Sequence, residues 1–203
     1  MIRKLFLVLI AAPLIFEAGA CFPEEQSAPA TDAISVIHSR KSVRHYTEKP
    51  VTPEDIDVLL RAGMAAPTAA DTRPWEFVVV DERETLDDLS AAVEWGKMLK
   101  RAKAAIVVCG DTTRALSGVE QEYWIQDCSA ASENILLAAE AKGLGAVWVG
   151  VFPVKERVAK VQRILELPEH VVPLNVISIG WPAGIEKPKD KYDAKYIHRN
   201  KWQ

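Results

Sequence analysis

From Gln121 to Lys142 the chain holds a long alanine-rich stretch, apolar around much of its circumference at helical spacing, with Gly143 as its stop. A helix that is apolar on most sides cannot rest on a surface. It has to be enclosed by other elements. The rest of the chain supplies them. Thr31 or Asp32 can cap a short helix through Ile34 and Ile37. Thr52-Pro53-Glu54-Asp55 opens a second helix, with a capping residue, a proline in the first turn and acids beside the helix N-terminus. Ile56, Leu59, Leu60 and Met64 continue it, and Pro67 follows its end. Leu86 to Val93, Lys97 to Ala102 and Lys155 to Leu165 read as helical, and Glu76 to Val80, Ala104 to Cys109, Ala146 to Val149 and Leu174 to Ile179 as strands. Helices alternate with single strands, so the expected architecture is a sheet covered by helices on both faces. From Trp181 onward the sequence is polar and aperiodic.

At 203 residues, with 49% hydrophobic and 26% charged side chains, the chain is expected to form one globular domain rather than a disordered one. A formal net charge of −3 argues against a nucleic-acid binder with a dominant basic face. Three cysteines cannot build a disulfide framework. Residues 1–21 read as a signal peptide: Arg3 and Lys4, then an apolar run from Leu5 to Phe16 too short to span a bilayer, then Ala18-Gly19-Ala20. Cys21 directly follows these small residues, as at a bacterial lipoprotein processing site, although Ala18 and Glu17 depart from that pattern. The expectation is export, to the periplasm or to a membrane through lipid on Cys21, with ordinary secretion as the alternative. Residues 22–31 then read as a flexible tether and 32–203 as the folded domain.

The usual chemical signatures are absent. No glycine fingerprint follows a strand, and there is no P-loop, H-E-x-x-H or G-x-S-x-G. His38, His45, His170 and His198 lack metal-ligand spacing, and Cys109 and Cys128 read as buried thiols. A chain without an evident nucleophile, base or metal of its own can take its chemistry from a cofactor. Two local signals fit one. Arg40-Lys41-Ser42-Val43-Arg44 gathers three cations and a hydroxyl, which suits a phosphate, though a solvated surface is the plain alternative. Ala66-Pro67-Thr68-Ala69-Ala70-Asp71-Thr72-Arg73-Pro74-Trp75 sets small residues between two prolines, a turn that lets a flat ligand approach the backbone or simply joins a helix to a strand.

In this order the two runs resemble the flavin-dependent nitroreductase family, which opens with R-R-S-x-R and continues with A-P-S-x-x-N-x-Q-P-W. Tyr123 to Ala131 is similar to the start of that family's central helix, and Gly143-Leu144-Gly145-Ala146-Val147-Trp148-Val149-Gly150 to its G-L-G-x-x-W-x-G turn. Leu167-Pro168, Gly180-Trp181-Pro182 and the ending Lys187-Pro188-Lys189-Asp190-Lys191-Tyr192 with His198 and Trp202 also match.

The resemblance implies an α+β fold, a three-layer α/β/α sandwich around a mainly antiparallel sheet. It also implies an intertwined homodimer with FMN at two interface sites and a C-terminal tail reaching over the partner. By the same resemblance Arg40, Lys41, Ser42 and Arg44 hold the FMN phosphate, ribityl chain and pyrimidine edge, with Lys189 and Lys191 completing the phosphate site. Pro67, Thr68 and Ala69 line the flavin of the partner subunit, Asp71 faces the flavin's polar edge or simply pairs with Arg73 at the surface, and Val149 and Gly150 present backbone N–H groups towards flavin N5. Trp95, Tyr123 and Trp124 are candidates to stack on the substrate, with ordinary packing as their alternative. Departures from the pattern are Lys41 for Arg, Asp71 for Asn and Arg73 for Gln. Asp127 is expected to be structural, an acid suited to a helix start. The implied function is transfer of hydride from NADH or NADPH through flavin N5 to an electron-poor acceptor such as a nitroaromatic or quinone. The alternatives are a specialised dehalogenating or flavin-modifying relative, or an exported flavin carrier or sensor without turnover.

Overall fold

The computed structural model describes residues 32–202; the expected signal peptide and tether lie outside these residues. The chain divides into two units, 1–30 and 31–203, and the second holds the fold. In it α1 spans Ala33–Ser39, α2 Pro53–Met64, β1 Trp75–Val80, α3 Arg83–Ala92, β2 Ala104–Asp111, α4 Tyr123–Ala141, β3 Gly145–Gly150, α5 Lys155–Ile164 and β4 Val171–Gly180. The four strands form one antiparallel sheet in the order β1-β2-β4-β3.

Alternation along the strands makes two cores. On β2, Ala104, Ile106 and Val108 join Ile56 and Leu59 of α2 and Ile135 of α4 on one face, while Ala105, Val107 and Cys109 join Leu86 and Leu89 of α3 and Val161 of α5 on the other. This period of two, with helices on both faces, is the three-layer α+β sandwich. As its composition requires, α4 is enclosed: Cys128, Ala131, Ser132, Ile135 and Ala139 are fully buried between α2 and the sheet. The Thr52–Asp55 capping box starts α2, and Asp55 also pairs with Lys142 just past α4 at 2.9 Å, tying the two helices end to end.

α3 begins at Arg83, three residues before its expected start, and two other elements also differ from expectation. β4 begins at Val171 and contains Pro173, because the ladder slips between Val108 and Cys109. That bulge lets a residue without an N–H sit in a central strand, and the Leu174 carbonyl accepts instead from Val151 and Phe152. The segment expected to be helical over 97–102 is only a 3₁₀ turn, Lys97–Lys100.

Candidate functional site

The basic run lies extended beside β3. Val43 donates to the Ala146 carbonyl at 3.0 Å, and Ser42 and Ala146 form a parallel bridge. Val43 and Tyr46 are buried, and Ser42 and Arg44, on either side of Val43, stand outward. The anchors are specific. The Tyr46 hydroxyl meets the Ser178 hydroxyl at 2.6 Å and donates to the Val43 carbonyl at 2.8 Å, and burial pushes this phenol above its usual range. Gly180 permits that placement, since a Cβ there would lie 2.7 Å from the Tyr46 ring.

The same segment captures the start of the tail. Thr47 donates to the Trp181 carbonyl at 2.8 Å, and Ala183 to the His45 carbonyl at 2.9 Å. The following residues therefore return over the basic run. The result is a cleft of about 350 Å³ lined by Arg40, Lys41, Ser42, Arg44, Glu186, Lys187, Lys189 and Lys191. Six cations face one carboxylate, a concentration of positive charge in a chain that is acidic overall. Two of them are already engaged by α4: Arg40 Nε sits 3.1 Å from Glu133, and Lys41 Nζ 2.7 Å from Glu140. Arg40 keeps the free end of its guanidinium, whereas the single ammonium of Lys41 is tied to the helix.

Arg44 also lines a second cleft, of about 360 Å³, with Glu94, Trp95, Lys97, Met98, Val147, Trp148 and Val149. Trp95 is 70% exposed. Glu94 is paired with Arg157. The sequence reading missed Lys97 here; its only signal was a cation two residues beyond an aromatic in the region expected to carry specificity. At the end of β3, a Cβ on Gly150 would meet nothing within 4 Å, so the backbone is open to a flat ligand.

Pro67, Thr68, Ala69 and Asp71 line neither cleft of this subunit. They form a turn against α4 in which Ala70, Asp71 and Arg73 adopt φ of 48°, 55° and 49°. Left-handed backbone costs a non-glycine residue roughly 1–3 kcal/mol and persists where surrounding contacts enforce it. The Thr68 hydroxyl accepts from the Arg73 N–H at 3.1 Å, and Arg73 forks onto Asp71 at 2.8 and 2.6 Å. That pair is exposed, and the guanidinium holds the Asp71 carboxyl below its ordinary range. Asp127 reaches the turn from α4, accepting from the Ala69 N–H at 2.9 Å. Its partner is thus the turn rather than the amides of the helix start. Burial raises its carboxyl, opposed by that single bond.

The aromatic candidates separate. Tyr123 is 40% exposed at the start of α4. Trp124, expected among the substrate-facing rings, is a core residue: it is 5% exposed, edge-on to Phe152 at 5.1 Å, and packed on Gly110. It sits one residue further along the helix, on the side facing the sheet. Cys109 and Cys128 are buried free thiols, and burial pushes Cys109 up to about 12, which leaves it unreactive. No cluster of metal-ligating side chains occurs among the described residues.

Comparison with known proteins agrees with this geometry. A family model described as the nitroreductase family matches residues 37–96 and 90–181. A protein of Methanothermobacter thermautotrophicus, provisionally named an NADH dehydrogenase/NAD(P)H nitroreductase, is 44% identical over 84% of this chain and 88% of its own length. The crystal structure of a protein from Bacteroides thetaiotaomicron with the same provisional name superposes with a TM-score of 0.79 at 52% identity, covering 84% of this chain and 98% of that one. An FMN-dependent nitroreductase of Clostridium difficile matches with a TM-score of 0.77 at 31% identity over 83% and 99% of the two chains. With the model spanning most of the chain and a close relative matched over nearly its whole length, this protein belongs to the nitroreductase family.

Proposed function

We propose that the chain binds FMN across the two clefts that share Arg44, and that it passes reducing equivalents from NADH or NADPH to a small electron-poor acceptor such as a nitroaromatic or quinone. The observation that carries this is the cationic cleft, in which the Arg40–Arg44 run meets lysines from the far end of the sequence. The residues fit the group. A phosphate calls for directional cationic donors and a hydroxyl, and Arg40, Arg44, Lys189, Lys191 and Ser42 supply them. A flat ring calls for an open backbone, as at Gly150. When bound, FMN supplies the hydride chemistry, accepting and donating at N5. The chain's part is to bind and orient. Val149 would border the ring, with Gly150 next to it at the end of β3, Arg44 and Lys97 would place positive charge at its pocket, and Trp95 would offer an indole face to the acceptor. The names of the relatives, NAD(P)H nitroreductase and FMN-dependent nitroreductase, support the reading.

Purified protein supplied with FMN should retain one flavin per chain by absorbance. NADH or NADPH added without oxygen should bleach it, and an added quinone should restore the colour. Failure to retain FMN overturns the assignment. A bound flavin that neither nicotinamide bleaches makes the protein a carrier or sensor.

We further propose a homodimer. Ile185, Tyr192 and Trp202 of the tail are 94%, 78% and 86% exposed, and an apolar groove of about 390 Å³ runs between α1, α2 and α4 along Val36, Ile37, Ala65, Leu137 and Ala138. Apolar surface of this kind is usually covered by a partner. The turn at 67–71, which lines neither cleft of its own chain, then serves the partner's. Sedimentation at micromolar concentration should give twice the chain mass; a flavin-loaded monomer refutes the dimer.

Export is likewise proposed, on the charged start, apolar run and small residues before Cys21. Mass spectrometry of the native protein should find a chain beginning at Cys21 with lipid attached. Retained Met1 refutes export, and an unmodified Cys21 refutes lipidation.

A further inference from the structure

We infer that Asp127 is the positioning residue of the flavin-facing turn at 67–71, holding it through the Ala69 N–H. The role rests on the FMN reading above. Over 70–73 the turn and its exit hold three non-glycine residues at positive φ, a conformation that alanine and arginine do not favour. Most bonds that enforce it are internal: Thr68 to Arg73, Asp71 to Arg73, and the backbone bonds Asp71 N–H to the Thr68 carbonyl and Thr72 N–H to the Ala69 carbonyl. Internal bonds fix the shape of a turn and leave its place open. The register to the rest of the fold comes from two points. Asp111 donates to the Pro74 carbonyl at 2.7 Å on the sheet side, and Asp127 accepts from Ala69 at 2.9 Å on the helix side.

Asp127 is suited to the task. It stands on the most enclosed helix of the fold, past its first turn, and is 6% exposed. Among the described residues its bond to Ala69 is the one side-chain hydrogen bond it makes, so its burial serves the turn. A carboxylate is also a stronger acceptor for a backbone N–H than a neutral oxygen. Pro67, Thr68 and Ala69 are the residues expected to lie against a partner's flavin. A displacement of the turn therefore reaches the cofactor, although Asp127 itself lies behind the turn.

The test compares Asp127→Ala with Asp127→Asn in the full FMN-supplied protein. Asparagine keeps an oxygen that can accept from Ala69. In Asp127→Ala, amide hydrogen exchange at Ala69 should quicken at least tenfold with α4 still protected, the FMN dissociation constant should rise about tenfold, and the KM for the acceptor should rise more than kcat falls. Asp127→Asn should return all three to within threefold of the starting protein. If the alanine variant does not fold, Asp127→Ser, one atom too short to reach the amide, takes its place. Unchanged exchange at Ala69 overturns the tether. Faster exchange with unchanged flavin affinity and kinetics overturns its functional role, as does an Asp127→Asn variant as impaired as alanine. If the unaltered protein binds no FMN, the FMN reading falls and this role with it; the exchange measurement, which needs no flavin, separates that outcome from a missing tether.

Discussion

Arg40→Ala combined with Arg44→Ala is expected to weaken FMN binding by about 10²- to 10⁴-fold and to leave a folded protein. Each arginine in reach of the cleft offers charge-assisted hydrogen bonds to a phosphate, worth roughly 1.5–3 kcal/mol apiece, and about 1.4 kcal/mol is a factor of ten in affinity. Folding should survive because the segment is anchored by Val43 and Tyr46, both 1% exposed, rather than by the side chains removed. Arg40 gives up its pair with Glu133, half-exposed and thus of small value to stability. Lys41→Ala is the internal comparison. Its ammonium is held by Glu140, so its loss should cost flavin affinity about tenfold or less. Titration of FMN fluorescence, with thermal melts alongside, gives the result. A double variant within threefold of the parent would remove the phosphate from this cleft.

Trp124→Ala is expected to destabilise the fold by about 3–5 kcal/mol, the usual cost of deleting a large buried ring. At roughly 2–4 °C per kcal/mol for a domain of this size, Tm should fall on the order of 10 °C. The packing argues for it: a Cβ at Gly110 would lie 2.3 Å from the Trp124 ring, and Phe152 meets the ring edge-on. Trp95→Ala should do the reverse. Its indole is 70% exposed, so stability should stay within about 0.5 kcal/mol while the KM for an aromatic acceptor rises several-fold. Melting curves and steady-state kinetics of the two variants separate core from cleft. A stable Trp124→Ala protein with a raised acceptor KM would restore Trp124 to the substrate side.

Local chemistry in the chain foretold most elements. The alanine-rich stretch had to be enclosed, and α4 is. Thr52-Pro53-Glu54-Asp55 had to begin a helix, and its capping box is formed. The short apolar runs read as strands became the middle layer. What escaped was decided by pairing. Pro173 argues against strand on its own, yet it lies in β4, because the slip at Val108/Cys109 removes the need for its missing N–H. Trp124 and Tyr123 are adjacent aromatics with similar local context; the direction of α4 relative to the sheet buries one and exposes the other.

By itself the sequence determined which residues carry charge, which are small enough for a turn, and in what order they occur, and from these the nitroreductase resemblance and the basic run were legible. Only the tertiary structure decided which charges remain available. Glu133 and Glu140 lie far along the chain from Arg40 and Lys41, and they meet only because α4 runs beside the extended segment, so no local pattern could show that Lys41 is engaged. The lysines of the tail join the run because His45 and Thr47 bond to Ala183 and Trp181, the residues that leave β4. Lys97 enters the second cleft, and Asp127 finds Ala69, for the same reason. Electrostatic and hydrogen-bonded partners are set by distance in space, and distance in space is fixed by the packing of whole elements, which the chain encodes collectively rather than at any one position.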